Sequence, residues 1–324
     1  MAGARCHFAF VLLFPLACAA QVSIQEYPIP EGLFAHDVWA DPAPGGPVYF
    51  SAQRSGHLGI LDPKTGKVET VALGRGSSPH GVIMGPEGAV WLTDGGQNAI
   101  VRVDPHVSPN ARQVKVWPLP SDAGYANLNT AIFDGKGLHW FTGQSGVYGR
   151  LDPRSGAIKL FDAPKGRGPY GIHATPDGTV YYASLAGSFI GKINPENGAT
   201  TVIEPPTPRQ GARRVWSDSK GNVWVAEWNS GNLSRYEPKS GKWSTWKAPG
   251  SSPRVYAVYV DQTDKVWASD WAAQVMLRFD PAMEKFETFK SSSANANVRQ
   301  IHGRRGEVWT PESAADKLVV YRFR

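Results

Sequence analysis

Cysteine is almost missing: of 324 residues only Cys6 and Cys18 carry a thiol, and both lie within the first eighteen positions. A product cleaved after about residue 20 would hold none, which excludes a disulfide framework, a thiol nucleophile and a thiolate metal centre. Long apolar runs are missing too. The longest, Phe8–Leu16, is too short to cross a bilayer. Beyond the first twenty residues no stretch has helical periodicity, so bundle and α/β classes are excluded. There is no nucleophile elbow, no zinc signature, no Ser–His–Asp order, no nucleotide-binding glycine loop and no nucleic-acid motif. The net charge of +6 comes from scattered rather than massed Lys and Arg, so nucleic acid is not an expected partner.

Short strands and tight turns fill the chain. With 12 Trp, 35 Gly and 26 Pro, the composition suits an all-β protein. An aromatic anchor on a β-favouring segment recurs as Tyr49, Trp91, Trp140, Tyr181, Trp224, Trp267 and Trp309, at intervals of 41 to 49 residues. A period near 43 marks a repeat architecture of four short strands per unit, and seven copies predict a seven-bladed β-propeller over residues 21–324. Asp62–Pro63–Lys64–Thr65–Gly66 and its equivalents ending at Gly156, Gly198 and Gly241 form the turn between the third and fourth strands of a blade. Proline presets φ there, and glycine accepts the left-handed return.

The two ends predict how the ring closes. The seventh repeat runs out after its third strand, while Val22–Pro30 reads like the fourth strands elsewhere, for example Val116–Trp117–Pro118–Leu119–Pro120. The N-terminal strand is therefore expected to complete the last blade, leaving no open edge. Residues 1–20 read as a signal peptide: Arg5, then the apolar run, then Ala17–Cys18–Ala19 or Cys18–Ala19–Ala20 for cleavage. A periplasmic or secreted monomer without a transmembrane segment is expected. Lipid attachment at Cys18 is a lesser alternative, since Pro15–Leu16–Ala17–Cys18 is a poor lipoprotein box.

In a propeller the innermost strand of each blade starts at the mouth where the second strand ends. Counting back from the anchors puts His36, His80, Asn129, Tyr170, Arg213, Tyr256 and Arg299 at the seven entrances. Past the anchors stand Ala52, Asp94, Gly143, Ser184, Glu227, Asp270 and Glu312. Two residues beyond the entrances the row is apolar in every blade (Val38, Val82, Ala131, Ile172, Val215, Val258, Ile301) and is expected to pack blade on blade. The entrance row differs from blade to blade, as a site for an asymmetric small molecule does. His80, Asp94, Asn129, Tyr170, Arg213 and Glu227 are candidate substrate contacts. The alternative is that the carboxylates and arginines only satisfy one another. His173 and His302 are expected in the interior, and His57, His106 and His139 at the periphery. The loop from Thr207 to Arg214, with Arg209, Arg213 and Arg214, either selects an anion or is solvated surface.

Phrases such as Gly168–Pro169–Tyr170–Gly171–Ile172, Asn222–Val223–Trp224–Val225–Ala226–Glu227, Phe189–Ile190–Gly191–Lys192–Ile193 and Glu26–Tyr27–Pro28–Ile29–Pro30 resemble the virginiamycin B lyase (streptogramin B lyase) family over the whole mature chain. The resemblance implies a seven-bladed propeller. It also implies a metal-assisted elimination that linearises cyclic depsipeptide antibiotics: a base removes the α-proton beside the ester and Mg2+ supports the developing charge. It further implies a histidine at the sixth entrance, where this chain has Tyr256. At the seventh it implies Glu-x-His, against Asn297–Val298–Arg299 here, and a glutamate closing that blade's second strand, which Glu312 matches within one residue. The catalytic candidates are accordingly Tyr256, Arg299 and His36, the last lying across the closure and able to replace the missing base. Asp270 and Glu312 are the candidate metal ligands. Two other readings follow from the departures: a binding or scaffolding propeller without lyase chemistry, and, with less support, a lactonase.

Overall fold

The computed structural model describes residues 22–323; the signal-peptide reading, Cys6 and Cys18 lie outside them. Seven four-stranded antiparallel sheets follow one another around an axis. Their innermost strands are Ala35–Ala40, Pro79–Met84, Leu128–Phe133, Pro169–Ala174, Ala212–Ser217, Val255–Val260 and His302–Arg304. The long loop after Asp104 carries a single 3-10 turn, Pro109–Ala111. Among the described residues no helix is long and apolar enough to cross a membrane.

Each blade interface repeats one contact. The anchor of one blade packs in the same apolar cluster as the inner-strand residue of the next. Tyr49 packs with Val82, Trp91 with Ala131, Trp140 with Ile172 and Tyr181 with Val215. Trp224 packs with Val258, Trp267 with Ile301, and Trp309 with Val38 across the closure. The expected blade-on-blade row is thus realised at all seven interfaces. Burying an indole in apolar surroundings requires a partner for its N–H. Asp134, Asp218 and Asp261, each six residues before its Trp, accept from Trp140, Trp224 and Trp267 at 2.8, 3.1 and 2.8 Å. Glu87 and Glu307 do the same for Trp91 and Trp309.

Turn chemistry follows the residues as expected. Gly66, Gly156, Gly198 and Gly241 have φ between 70° and 79°. The hairpin between second and third strands needs one left-handed residue in every blade, supplied by Gly56, Asn98, Gly146, Ser188, Gly231, Gln274 and Asp316.

Ring closure takes the expected form. Ser23–Pro28 pairs antiparallel with Lys317–Arg322 over six residues, completing the seventh sheet. Tyr27 packs on Trp309 with ring centroids 5.3 Å apart, and Tyr27, Ile29 and Leu33 join the core between blades seven and one. Lys317 pairs with Glu26 at 2.8 Å.

His139 is not peripheral. It is fully buried between Trp91 and Phe133, at 5.4 and 5.1 Å between centroids, because its neighbour Trp140 faces the following interface. His173 stacks on Trp216 and His302 on Trp39, as interior residues. Burial pushes the imidazoles of His139 and His302 down to about 3.

A chain beginning at Glu31 loses the six-residue ladder and the burial of Tyr27 and Ile29, about 2 kcal/mol each. Its melting temperature is expected to fall by roughly 10 °C or more at a few degrees per kcal/mol; an unchanged value contradicts the latch. A second expectation concerns pH. His139 stays neutral when folded but protonates near 6.5 when unfolded. Its contribution is therefore complete above pH 6.5 and declines as pH falls toward 3, by about 1.4 kcal/mol per unit. The melting temperature of His139→Phe should fall less between pH 7 and pH 5 than that of the wild type, and identical slopes contradict this.

Candidate functional site

The strand register puts the starts of the inner strands and the ends of the second strands at one mouth. Ala35 is opposite Ala52, Pro79 opposite Asp94, Ala212 opposite Glu227 and Val255 opposite Asp270. In six blades the inner strand breaks register at or beside the entrance residue. Such bulges re-aim side chains. The carbonyls of the next blade's entrance residues are pinned by hydroxyls two places past the anchors: Ser51 donates to His80, Thr93 to Asn129 and Thr142 to Tyr170.

The entrance residues converge. The His36 and His80 rings lie 3.9 Å apart between centroids. Asn129 Nδ2 is 3.1 Å from His80 Nε2, and the Tyr170 and Tyr256 hydroxyls hydrogen-bond at 2.7 Å. Arg213 donates to the Tyr170 hydroxyl at 2.9 Å while its guanidinium sits 3.6 Å from the Tyr256 ring centre. Arg299 lies 4.8 Å from the ring of Trp271, which stacks on Tyr256 at 5.2 Å.

Burial disfavours the Tyr256 phenolate, but Arg213, Arg214, Arg299 and the hydrogen bond from Tyr170 outweigh it, and the phenol is held below its ordinary value of 10.0. Tyr170, which lacks that balance, is pushed up by burial and by Tyr256. Burial, then the charges of Arg299, Arg214 and Arg213, push the His36 imidazole well down. His80 moves the same way, first by burial and then by His36.

The carboxylates at the second-strand ends do not join this cluster. Asp94 accepts from the backbone N–H of Ser78 and Gln97 and from the Ser77 hydroxyl. Asp270 accepts from the N–H of Arg254, Ala272 and Ala273. Glu227 accepts from Ser230, Asn232 and Ser234. These three hold the rim turns in shape. Glu312 is buried with one oxygen unpartnered, and burial raises its carboxyl.

Four contributors escaped the sequence reading: Asp37, Gln300, Trp228 and Trp271. In blades one and five the residue after the entrance also turns toward the axis at the bulge, which the count from the anchors could have reached by adding one. Asp37 of blade one thereby meets Arg214 of blade five, 2.9 and 3.2 Å apart in a bidentate pair that is almost fully buried. Gln300 accepts from the Val38 N–H across the closure. Arg214 is therefore consumed within the channel and is not free to select an anion, unlike its neighbour Arg213. Trp228 and Trp271, directly after the second strands of blades five and six, flank Tyr256 at 5.6 and 5.2 Å.

Magnesium fits these residues poorly. It demands several oxygen ligands and retained waters. Among the described residues one trio brings its donor atoms within 4.8 Å, namely His36, Asp37 and His80. Its single carboxylate is already held by a guanidinium, and its other donors are imidazoles. Asp270 spends one oxygen on three amides.

The buried pair supplies its own test. Arg214→Met strands the Asp37 charge and is expected to cost about 3–5 kcal/mol, whereas Asp37→Leu with Arg214→Met recovers most of it. Denaturant titration decides, and strict additivity of the two single changes contradicts the pair.

The profile of the virginiamycin B lyase family matches residues 17–275. Among solved structures, virginiamycin B lyase from Staphylococcus aureus superposes with a TM-score of 0.82 at 19% identity, covering 93% of this chain and 99% of that one. A streptogramin B lyase structure gives 0.84 at 19% identity, covering 94% and 98%. A catalytically inactive Staphylococcus aureus variant with quinupristin gives 0.84, also at 19%, covering 93% and 99%. At that identity these likenesses speak to the fold. A search of curated proteins finds no match. With its profile match spanning most of the sequence, the chain belongs to the virginiamycin B lyase family.

Proposed function

We propose that this protein is a carbon–oxygen lyase that opens an ester-containing small molecule by elimination, with Tyr256 as the base. The observation that carries the reading is the phenol of Tyr256 held beneath Arg213, beside Arg214 and Arg299. Elimination needs a group that takes a proton from the carbon next to a carbonyl and a positive group where oxygen gains charge. The C–H pair becomes the new C=C bond, the C–O bond breaks, and the carboxylate leaves with that bond's electrons. A phenolate within a guanidinium cluster accepts the proton, and Arg299 or Arg213 faces the enolate-like oxygen. Arginine cannot itself be the base. His36, kept neutral by burial, is the weaker acceptor and shapes the pocket beside Asp37.

This reading departs from the metal-assisted chemistry that the family resemblance implies, and gives the arginines the charge-stabilising role that a cation has there. In the same reading the chain is exported on its first twenty residues and works as a monomer. A second reading, a non-catalytic binding propeller, draws support from the burial of Tyr256, which is 1% exposed and covered by Arg213.

Incubation with a type B streptogramin followed by mass spectrometry separates the two. Elimination linearises the ring with no change of mass, hydrolysis adds one water, and an untouched substrate favours the binder. Where turnover occurs, Tyr256→Phe is expected to lower kcat by about 100-fold or more, and chelator should leave the rate unchanged. The rate should rise with pH with a midpoint below 10, since the phenolate is the active form. A fully active Tyr256→Phe variant contradicts the assignment.

A further inference from the structure

The rim above the entrance cluster carries cations with no counter-ion. Arg54, Arg213 and Arg299 form no ion pair with any carboxylate among the described residues, and the Nε atoms of Arg213 and Arg299 are buried without a partner. None of the carboxylates placed at this mouth pairs with these three cations: Asp94, Glu227 and Asp270 are held by local donors, Asp37 by Arg214, and Glu312 keeps one oxygen unpartnered. The three guanidiniums therefore face the opening without a paired carboxylate. Guanidiniums gathered in a part-buried site repel one another, and an anion between or beside them relieves that repulsion.

Each of these cations is laid against aromatic faces. Arg54 sits 4.0 Å and Arg299 5.5 Å from the ring centre of Phe34. Arg299 also lies 4.8 Å from Trp271, and Arg213 lies 4.4 Å from Trp228. The two indoles are 6.2 Å apart, edge to face. Stacking fixes the plane of a guanidinium and leaves its N–H edge free for a planar oxyanion.

Phe34 adds a third, independent observation. It stands two places before the first entrance, with φ of 55°. The equivalent left-handed positions of other blades are filled by Asn127, Gly168, Gly211 and Asn297, residues that tolerate this backbone. A bulky aromatic there is strained, and Asp316 holds it by accepting from the N–H groups of Gly32 and Phe34 at 2.9 and 3.0 Å. A bulky residue kept at a strained rim position is the kind of outlier from which a functional hypothesis starts. The ring it places is the one shared by Arg54 and Arg299.

We propose that this rim binds a small molecule whose flat ring bears an oxyanion, with Arg54 and Arg299 taking the anion and Trp228 and Trp271 the ring. This rests on the mouth being the ligand end of the propeller, as in the reading above, but not on elimination taking place there. The positive field that holds the Tyr256 phenol down acts in the same sense on an incoming anion.

Quenching of tryptophan fluorescence by cinnamate, phenyl phosphate and the neutral cinnamamide tests it on the intact protein. At least one anion is expected to bind about tenfold or more tighter than the amide, with the advantage shrinking as salt is raised. Carboxylate and phosphate arms show which oxyanion is preferred. Arg299→Gln and Arg54→Gln should each erase most of the anion's advantage while leaving amide binding in place. Phe34→Asn, which relieves the backbone, should melt no lower than the wild type yet bind the anion several-fold more weakly. Equal affinities for anion and amide, no binding of either anion, or an advantage that survives Arg299→Gln overturns the proposal. Anion preference without streptogramin turnover removes the lyase reading alone. Turnover without anion preference removes this inference alone.

Discussion

Everything at the mouth depends on a contact far down the blades, the aromatic anchor of one sheet packed against an inner-strand residue of the next. Because Trp309 shares an apolar cluster with Val38 as Trp91 does with Ala131, the last interface is built like the others and the circle closes. Fully burying such side chains is worth about 2–3 kcal/mol apiece, repeated seven times. The carboxylates beneath the indoles matter because a buried N–H left unpaired forfeits much of that gain. Rigid packing lets the inner strands carry bulges and unpaired charges at their starts.

The site inherits its chemistry from that frame. Seven inner strands begin around one axis, so residues distant in sequence become neighbours, and the bulges of blades one and five bring a second residue with them. Asp37 and Arg214, separated by 177 positions, meet only because blades one and five face each other across the channel. The charge balance then follows. One guanidinium is neutralised inside, and those at the rim are not. A phenol in that field gives up its proton more readily than an isolated tyrosine, even though burial opposes it.

Much of this was legible in the residues. The period of the anchors gives the blade count, and the Pro–x–x–Gly turns give the hairpins. The likeness of Val22–Pro30 to the fourth strands gives the closure, because each rests on local pattern. The entrance row was legible for the same reason: it lies at a constant distance from an anchor. What periodicity misses is direction. Asp94, Glu227 and Asp270 stand at the right height but turn aside, Asp94 and Asp270 to backbone N–H groups and Glu227 to the side chains of Ser230, Asn232 and Ser234. His139 precedes an anchor and so alternates to the opposite, equally buried side of its strand. The sequence leaves Arg214 between an anion selector and solvated surface because its partner lies across the ring. The departures at Tyr256 and Arg299 from the family's histidines looked like losses in the sequence. In three dimensions they form one unit with Arg213 and Trp271.

The account turns on whether that unit makes an acidic phenol. Titrating the Tyr256 ring by NMR of protein carrying carbon-13 at the tyrosine ζ position, with Tyr256→Phe to assign the signal, addresses this without reference to any ligand. Deprotonation below the ordinary value of 10, moving upward when Arg213 is replaced by Gln, is the expected result. A Tyr256 that keeps its proton beyond pH 10, or whose titration ignores the loss of Arg213, contradicts the arrangement on which the proposed chemistry is built.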